Sequence, residues 1–347
     1  VRREAVLALK TCVALFSVLS IKTFPLLSVT FVGCTREADE PVTDGRTATI
    51  RLDIPMLEAG TRVDVAGDEN AIHQLRVIIL SQGATSINQT YTTTDLAGGS
   101  ITIDNVPVGQ VQMYVIANEK SLGKDYSDLA TLQNDVITVG EARKVLIKDE
   151  SRTYFPKRGS KFPEAGLPMS WMNKNLTINP PTDTPQTIEV NLVRAVAKLN
   201  ITMNNALKDA ITINSMTFGT FFGDRLYLFA EQSLDVPDNT DYAGMSYTEN
   251  INIPISGYSS ETLALYIYPS FAWKDGMQAS PYTIGFTTAA GGTYTPQAFV
   301  NTYGALNSIA RNTQVNISAT LQTDTHIDIK FEVVPWEEKT VEVPPFN

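Results

Sequence analysis

The sequence predicts an all-β protein, and three observations carry that prediction. Period-two alternation recurs along the chain, turn signals punctuate it, and only one short stretch reads as helix. The clearest alternation is Ala48, Ile50, Leu52, Ile54 and Met56, with Thr49, Arg51 and Asp53 between them. It returns at Ile101 and Ile103, at Val111, Met113 and Val115, and at Val315, Ile317, Ala319 and Leu321. Successive side chains of a strand point to opposite faces, so each run reads as a half-buried strand of a sandwich. Gly98-Gly99, Val108-Gly109, Gly291-Gly292 and Asn312-Thr313 supply the turns. The helical stretch runs from Ser127 to Gln133, carried by Leu129 and Leu132, with Ser127 as its expected N-cap.

Composition limits what such a fold does. The chain has 347 residues, 43% hydrophobic and 18% charged, enough for two domains with real cores and too apolar for global disorder. Its formal net charge is −10, so it repels phosphate backbones and nucleic acid is not an expected partner. Two histidines (His73, His326) and two cysteines (Cys12, Cys34) do not furnish a His/Cys zinc site, and no cofactor is expected. No Gly-rich phosphate loop follows a strand and no G-x-S-x-G occurs, so the chain does not read as an enzyme. Each histidine reads as structural. Tyr266, Tyr268 and Trp273 read as core and loop anchors, with a sugar-stacking surface as the alternative.

Residues 1–33 differ from everything after them. Arg2, Arg3, Lys10 and Lys22 are basic, and apolar runs extend from Val13 to Ile21 and from Phe24 to Gly33. The second run has the length of a signal-peptide hydrophobic region. It ends at Gly33-Cys34, and a polar tether, Thr35 to Pro41, follows at once. A small residue before a cysteine at that place resembles a bacterial lipobox, although Phe31 stands where an aliphatic residue is usual. Cys34 is therefore the expected lipid acceptor, taking a diacylglycerol and fatty acid such as palmitate. An uncleaved membrane anchor needs roughly 20 uninterrupted apolar residues, and Lys22 breaks the stretch. Loss of residues 1–33 takes four of 27 basic and one of 37 acidic residues, leaving 23 and 36, a net of −13. Cys12 goes with them, so the exported part has no disulfide to form.

The exported part reads as two sandwiches, residues 63–187 and 188–322, followed by a tail over 323–347. The Pro/Thr/Asn-rich stretch Asn173 to Pro185 is the expected linker, because prolines remove ladder donors and stiffen the chain. In the tail, Ile327, Ile329, Phe331 and Val333 share one face, and Val341 and Val343 share another short one.

These residues resemble the major fimbrillins of Bacteroidales (FimA-like, type V pilins). The cysteine of the lipobox leads into Glu37 to Gly45, an alternating strand, an arginine, then Val65-Ala66-Gly67-Asp68-Glu69 and a second strand from His73 to Leu80. The pattern continues in Val115-Ile116-Ala117-Asn118, Leu122-Gly123-Lys124 and Gly166-Leu167-Pro168-Met169-Ser170. It reappears in Arg194 to Leu199 and in Ala310-Arg311-Asn312-Thr313. Trp171 departs from the pattern, where glycine is common. The resemblance implies two transthyretin-like Greek-key β-sandwich domains in tandem, no catalysis, and a structural role in adhesive surface fimbriae.

It also implies a route to the fibre. Residues 34–62 become a propeptide, removed by an arginine-specific protease that cuts between Arg62 and Val63. By itself Arg62 reads as an ordinary solvated loop arginine; the resemblance makes it the cut. The strand bearing Ala48, Ile50, Leu52, Ile54 and Met56 then leaves, and its unpaired neighbours become a template for another chain. The expected partners are identical or related pilin subunits, the protease, the outer membrane through a transient lipid, and host or bacterial surface receptors. The donor is expected at the C-terminus, through Ile327, Ile329, Phe331, Val333, Val341 and Val343. If residues 327–334 are instead the last strand of the second sandwich, Val341 to Phe346 alone is exchanged, or nothing is. A fimbrial tip or anchor subunit, and a surface glycan-binding lipoprotein that never polymerises, are the alternative functions.

Overall fold

The structure, a computed structural model, describes residues 45–55, 69–139, 142–158, 165–248, 251–322 and 326–336. Cys34, Met56, Arg62, Val63, Val341 and Val343 lie outside the described residues.

The first strands are β1 (Thr47–Asp53), β2 (Gln74–Ser81), β3 (Ala84–Thr92), β4 (Ser100–Pro107) and β5 (Gly109–Ala117). A 3-10 turn over Glu119–Leu122 and helix α1 (Leu129–Asp135) lead to β6 (Val136–Val139) and β7 (Ala142–Lys148). There follow β8 (Lys157–Arg158), β9 (Met169–Ile178), β10 (Gln186–Glu189) and β11 (Val193–Arg194). Next come β12 (Ala197–Asn205), β13 (Ile211–Phe218), β14 (Phe222–Gly223), β15 (Arg225–Tyr227), β16 (Tyr242–Ala243), β17 (Ser246–Tyr247) and β18 (Ile253–Ile255). The last are β19 (Ser260–Ile267), β20 (Thr283–Thr288), β21 (Thr293–Ala298), β22 (Val300–Asn301), β23 (Gly304–Ala305), β24 (Thr313–Leu321) and β25 (Ile327–Pro335).

Two apolar cores organise these strands. The first lies between a three-stranded sheet, β10-β1-β4, and a five-stranded sheet, β11-β9-β5-β2-β3. β2 and β5 are apolar almost without alternation because both of their faces are covered. Val77, Ile79 and Val115 belong to the core, while Ile78, Leu80 and Tyr114 line a cleft with Leu129, Leu132 and Val145. Arg76 is carried inside by β2 and is neutralised there by a two-pronged pair with Glu119, at 2.7 and 2.6 Å. The second core lies between the seven-stranded sheet β23-β22-β25-β24-β12-β19-β8 and a second sheet, β17-β13-β20-β21. Here strict alternation is visible: Ala197, Leu199, Ile201 and Met203 of β12 are buried, and Lys198, Asn200 and Thr202 lie on the other face.

Two expectations from sequence need correction. The linker expected over 173–185 is occupied to Ile178 by β9, which pairs with β5 across the middle of its sheet. Pro180, Pro181 and Pro185 all fall after that strand and cost it no ladder bond. The first core includes Val190 to Val196 and also later residues such as Leu228, Tyr268 and Trp336, while Ala197 belongs to the second. The helix begins later than expected, because Asp128 rather than Ser127 is its N-cap. Asp128 accepts from the Ala130 amide at 3.0 Å, while Ser127 bonds Asp125.

Candidate functional site: the seat of the first strand and the junction behind it

β1 is the middle strand of its sheet. It pairs antiparallel with β4, Ile50 opposite Ile103 and Leu52 opposite Ile101, with an irregularity between Ala48 and Ile50. On its other side it pairs parallel with β10, Ile50 opposite Gln186 and Leu52 opposite Ile188. The ends are tied as well: Ile54 donates its amide to Gly99 O at 3.1 Å, and Val190 donates to Asp53 O at 2.8 Å. Ile50, Leu52 and Ile54 are fully buried and Ala48 nearly so. The opposite face is polar, with Thr49 donating to Asp104 at 2.7 Å and Arg51 to Asp53 at 2.7 Å. The alternation thus seats four apolar side chains in a slot whose two walls are both backbone edges.

The chain reappears at Glu69, and here distant segments meet. Glu69 accepts from Lys198 Nζ and Tyr266 OH, each at 2.6 Å, and from Trp336 Nε1 at 2.8 Å. Burial pushes its carboxyl up, but these three donors and the Lys198 charge outweigh burial and hold it below its ordinary 4.5. Burial and the Glu69 carboxylate push the Tyr266 hydroxyl up in turn. Trp336 stacks on Tyr266, with centroids 5.7 Å apart and planes at 15°. The Arg194 guanidinium lies 4.6 Å from the same indole centroid. Arg194 also donates to the Glu69 and Trp336 carbonyls, at 3.3 and 3.4 Å, and to the side chains of Asn312 and Asn70.

Beside this cluster Arg311 is buried, and among the described residues no carboxylate is bonded to it. It donates instead to the carbonyls of Arg194 (3.1 Å), Leu228 (2.9 Å) and Val193 (2.9 Å), and to Ser170 Oγ (3.0 Å). Burial lowers its pKa accordingly. A similar staple sits at the end of β5. Asn118 accepts from the His73 amide at 2.9 Å and donates to the carbonyls of Ala71 and Leu167 at 2.8 and 2.7 Å. Gly166, at φ 78°, packs so closely that a Cβ there would come within 2.4 Å of the Asn118 amide nitrogen. The short sequence pieces around Asn118, Gly166–Ser170, Arg194 and Arg311 therefore form bonded clusters across the strands that join the two cores.

Residues 327–335 form β25, and Val341 and Val343 lie outside the described residues. β25 pairs with β24 across its whole length, from Leu321 opposite Ile327 to Thr313 opposite Pro335. Ile327 and Ile329 lie in the second core, Phe331 packs partly against it, and Val333 is exposed. Arg194 is buried and bonded. Tyr266 and Tyr268 are buried and Trp273 packs against the second core, so these aromatics do not form an open sugar platform. Glu69 appears in the sequence only as the end of the Val65–Glu69 piece of the resemblance, and Trp336 carries no signal of its own beyond preceding the tail.

Fold and site together define a β-sandwich surface protein whose first strand fills a slot between two edges and whose two cores are stapled by buried arginines. The family described as fimbrillin-A associated anchor proteins Mfa1 and Mfa2 matches residues 60–342, and the chain belongs to it. Its members are structural subunits of fimbriae at the cell surface, and the chain is one of these and not an enzyme. A putative cell adhesion protein from Bacteroides eggerthii shares the fold, with a TM-score of 0.52, 18% identity, and 84% of this chain and 97% of that chain covered. The tip fimbrial protein Mfa3 from Porphyromonas gingivalis aligns at TM-score 0.48 and 14% identity, over 84% of this chain and 99% of that one. A fimbrilin (fimA) from the same species aligns at 0.44 and 12%, over 84% and 98%. No curated protein sequence matches the chain.

Proposed function

We propose that the chain is a pilin exported as a lipoprotein on Cys34, cut between Arg62 and Val63 by an arginine-specific protease, and polymerised by strand exchange. The observation that carries this is the seat of β1: a central strand, buried on one face, whose covalent link to Glu69 runs through the residues that include Arg62. Removing it uncovers the sockets of Ile50, Leu52 and Ile54, each worth about 1.5–3 kcal/mol of burial, and the open edges of β4 and β10. A neighbour's strand restores both. The tandem transthyretin-like sandwiches belong to the same reading and are supported by the two separate cores.

Exchange through Ile327, Ile329, Phe331 and Val333 requires β25 to leave β24 and the second core. The tail beyond Trp336, with Val341 and Val343 alternating, follows β25 in sequence, and we take it as the donor. The family's description favours a second reading, an anchor subunit retained at the membrane through its lipid.

Mass spectrometry of the protein recovered from fibres separates these readings. A stalk subunit begins at Val63, and Arg62→Ala leaves residues 34–62 attached and abolishes fibre growth. An anchor keeps acylated Cys34 and occurs once, at the fibre base. Single copies beginning at the acylated cysteine, with no fibre, overturn both.

A further inference from the structure

Trp336 is the last described residue before the tail, and it is held on every side that the structure describes. Its indole N–H donates to Glu69, its ring stacks on Tyr266 and lies under Arg194, and Lys198 stands 5.7 Å from the ring centroid. Its backbone is fixed too: the amide donates to Asn312 O at 3.3 Å, and the carbonyl accepts from Arg194. Only 6% of the residue is exposed, whereas Val333, three residues earlier, is 46% exposed.

Glu69 contributes both of its carboxylate oxygens, one to Lys198 and Tyr266 and the other to the indole. It is fixed in turn by Arg194, which bonds its carbonyl and the side chain of Asn70. The clamp therefore draws on the segment after the Arg62 loop, on β11, β12 and β19, and on the turn before β24. None of these belongs to the strand that Trp336 terminates.

We propose that Trp336 is the fixed root of the exchanged tail. Glu69, Arg194, Lys198 and Tyr266 clamp it, so β25 stays with its own subunit through assembly and only residues beyond 336 pass to the neighbour. This rests on the donor-strand reading above and assigns four positioning residues to it. The clamp sets where the moving part of the chain begins, and so how far the tail reaches from the junction of the two cores.

The test uses Arg62-processed subunits with Ser318→Cys and Lys330→Cys, which face each other across β24 and β25. Oxidised subunits, with β25 locked, are expected to polymerise as well as reduced ones. Locked subunits that stay monomeric until reduction overturn the proposal. Hydrogen exchange on the unassembled subunit reads the clamp separately. Glu69→Gln and Trp336→Phe are expected to speed exchange of the β25 amides at least tenfold while leaving β2 and β5 unchanged. Unchanged β25 exchange in both variants overturns the clamp. A chain truncated after Trp336 is expected to keep β25 protected and to form no fibres. Fibres from that chain overturn the donor reading, while the exchange result on the clamp stands by itself.

Discussion

Arg311 donates to Ser170 Oγ at 3.0 Å, and the Ser170 hydroxyl donates to the Leu228 carbonyl at 2.5 Å, which Arg311 also bonds directly. The guanidinium thereby closes a ring of bonds between the last strands of the first core and the turn that opens β24.

Replacing that guanidinium leaves carbonyls buried and unpaired. Arg311→Met is expected to cost about 1–3 kcal/mol, the range for leaving buried hydrogen-bond acceptors without their donor. Arg311→Lys recovers only part of this, since an ammonium does not span four acceptors set around a planar fork. Urea unfolding checks both, with the midpoint falling in the order wild type, Lys, Met.

The β1 sockets make the two forms of the protein respond differently to one change. Leu52→Ala is expected to destabilise the unprocessed chain by about 2–5 kcal/mol, as for other buried leucines. On the proposed cleavage, processed subunits lack this strand, and the substitution is expected to change nothing in them. Thermal melts of both forms decide the matter, and equal losses in the two would count against removal of β1.

Acid loosens the clamp around Trp336. The folded pKa of Glu69 lies below its unfolded value, so its contribution is full above the unfolded pKa and is lost as the pH falls through the folded one. In a Trp171→Phe, Trp273→Phe background, Trp336 emission is expected to shift to the red only at a pH below the ordinary Glu value of 4.5. Glu69→Gln removes the titrating group and with it this transition.

The legibility of the chain followed the range of its interactions. β1 was plain from sequence because burying one face imposes a period of two on consecutive residues, and Ile50, Leu52 and Ile54 obey it. β9 was read as a linker because Asn173, Lys174 and Asn175 interrupt its apolar pattern and prolines follow closely, although Leu176 and Ile178 still alternate. The clamp is not legible as a unit, although Glu69, Arg194 and Lys198 each lie in a recognisable piece. Glu69 and Trp336 are separated by 267 positions, and each is an ordinary residue until the fold brings Lys198, Tyr266 and Arg194 around them. The scattered pieces around Asn118, Ser170, Arg194 and Arg311 were recognisable only as a familiar order. Their physical reason is that each caps a carbonyl or amide of another piece.

The mixed pairing of β1 has one more consequence. Because β4 runs against it and β10 runs with it, those two neighbours run opposite to each other. Any guest ribbon laid between them meets one wall head-to-head and the other head-to-tail, whichever way it enters. The main chain is therefore indifferent to the direction of entry, and the choice falls to the sizes of the side chains and to the offset between Ala48 and Ile50.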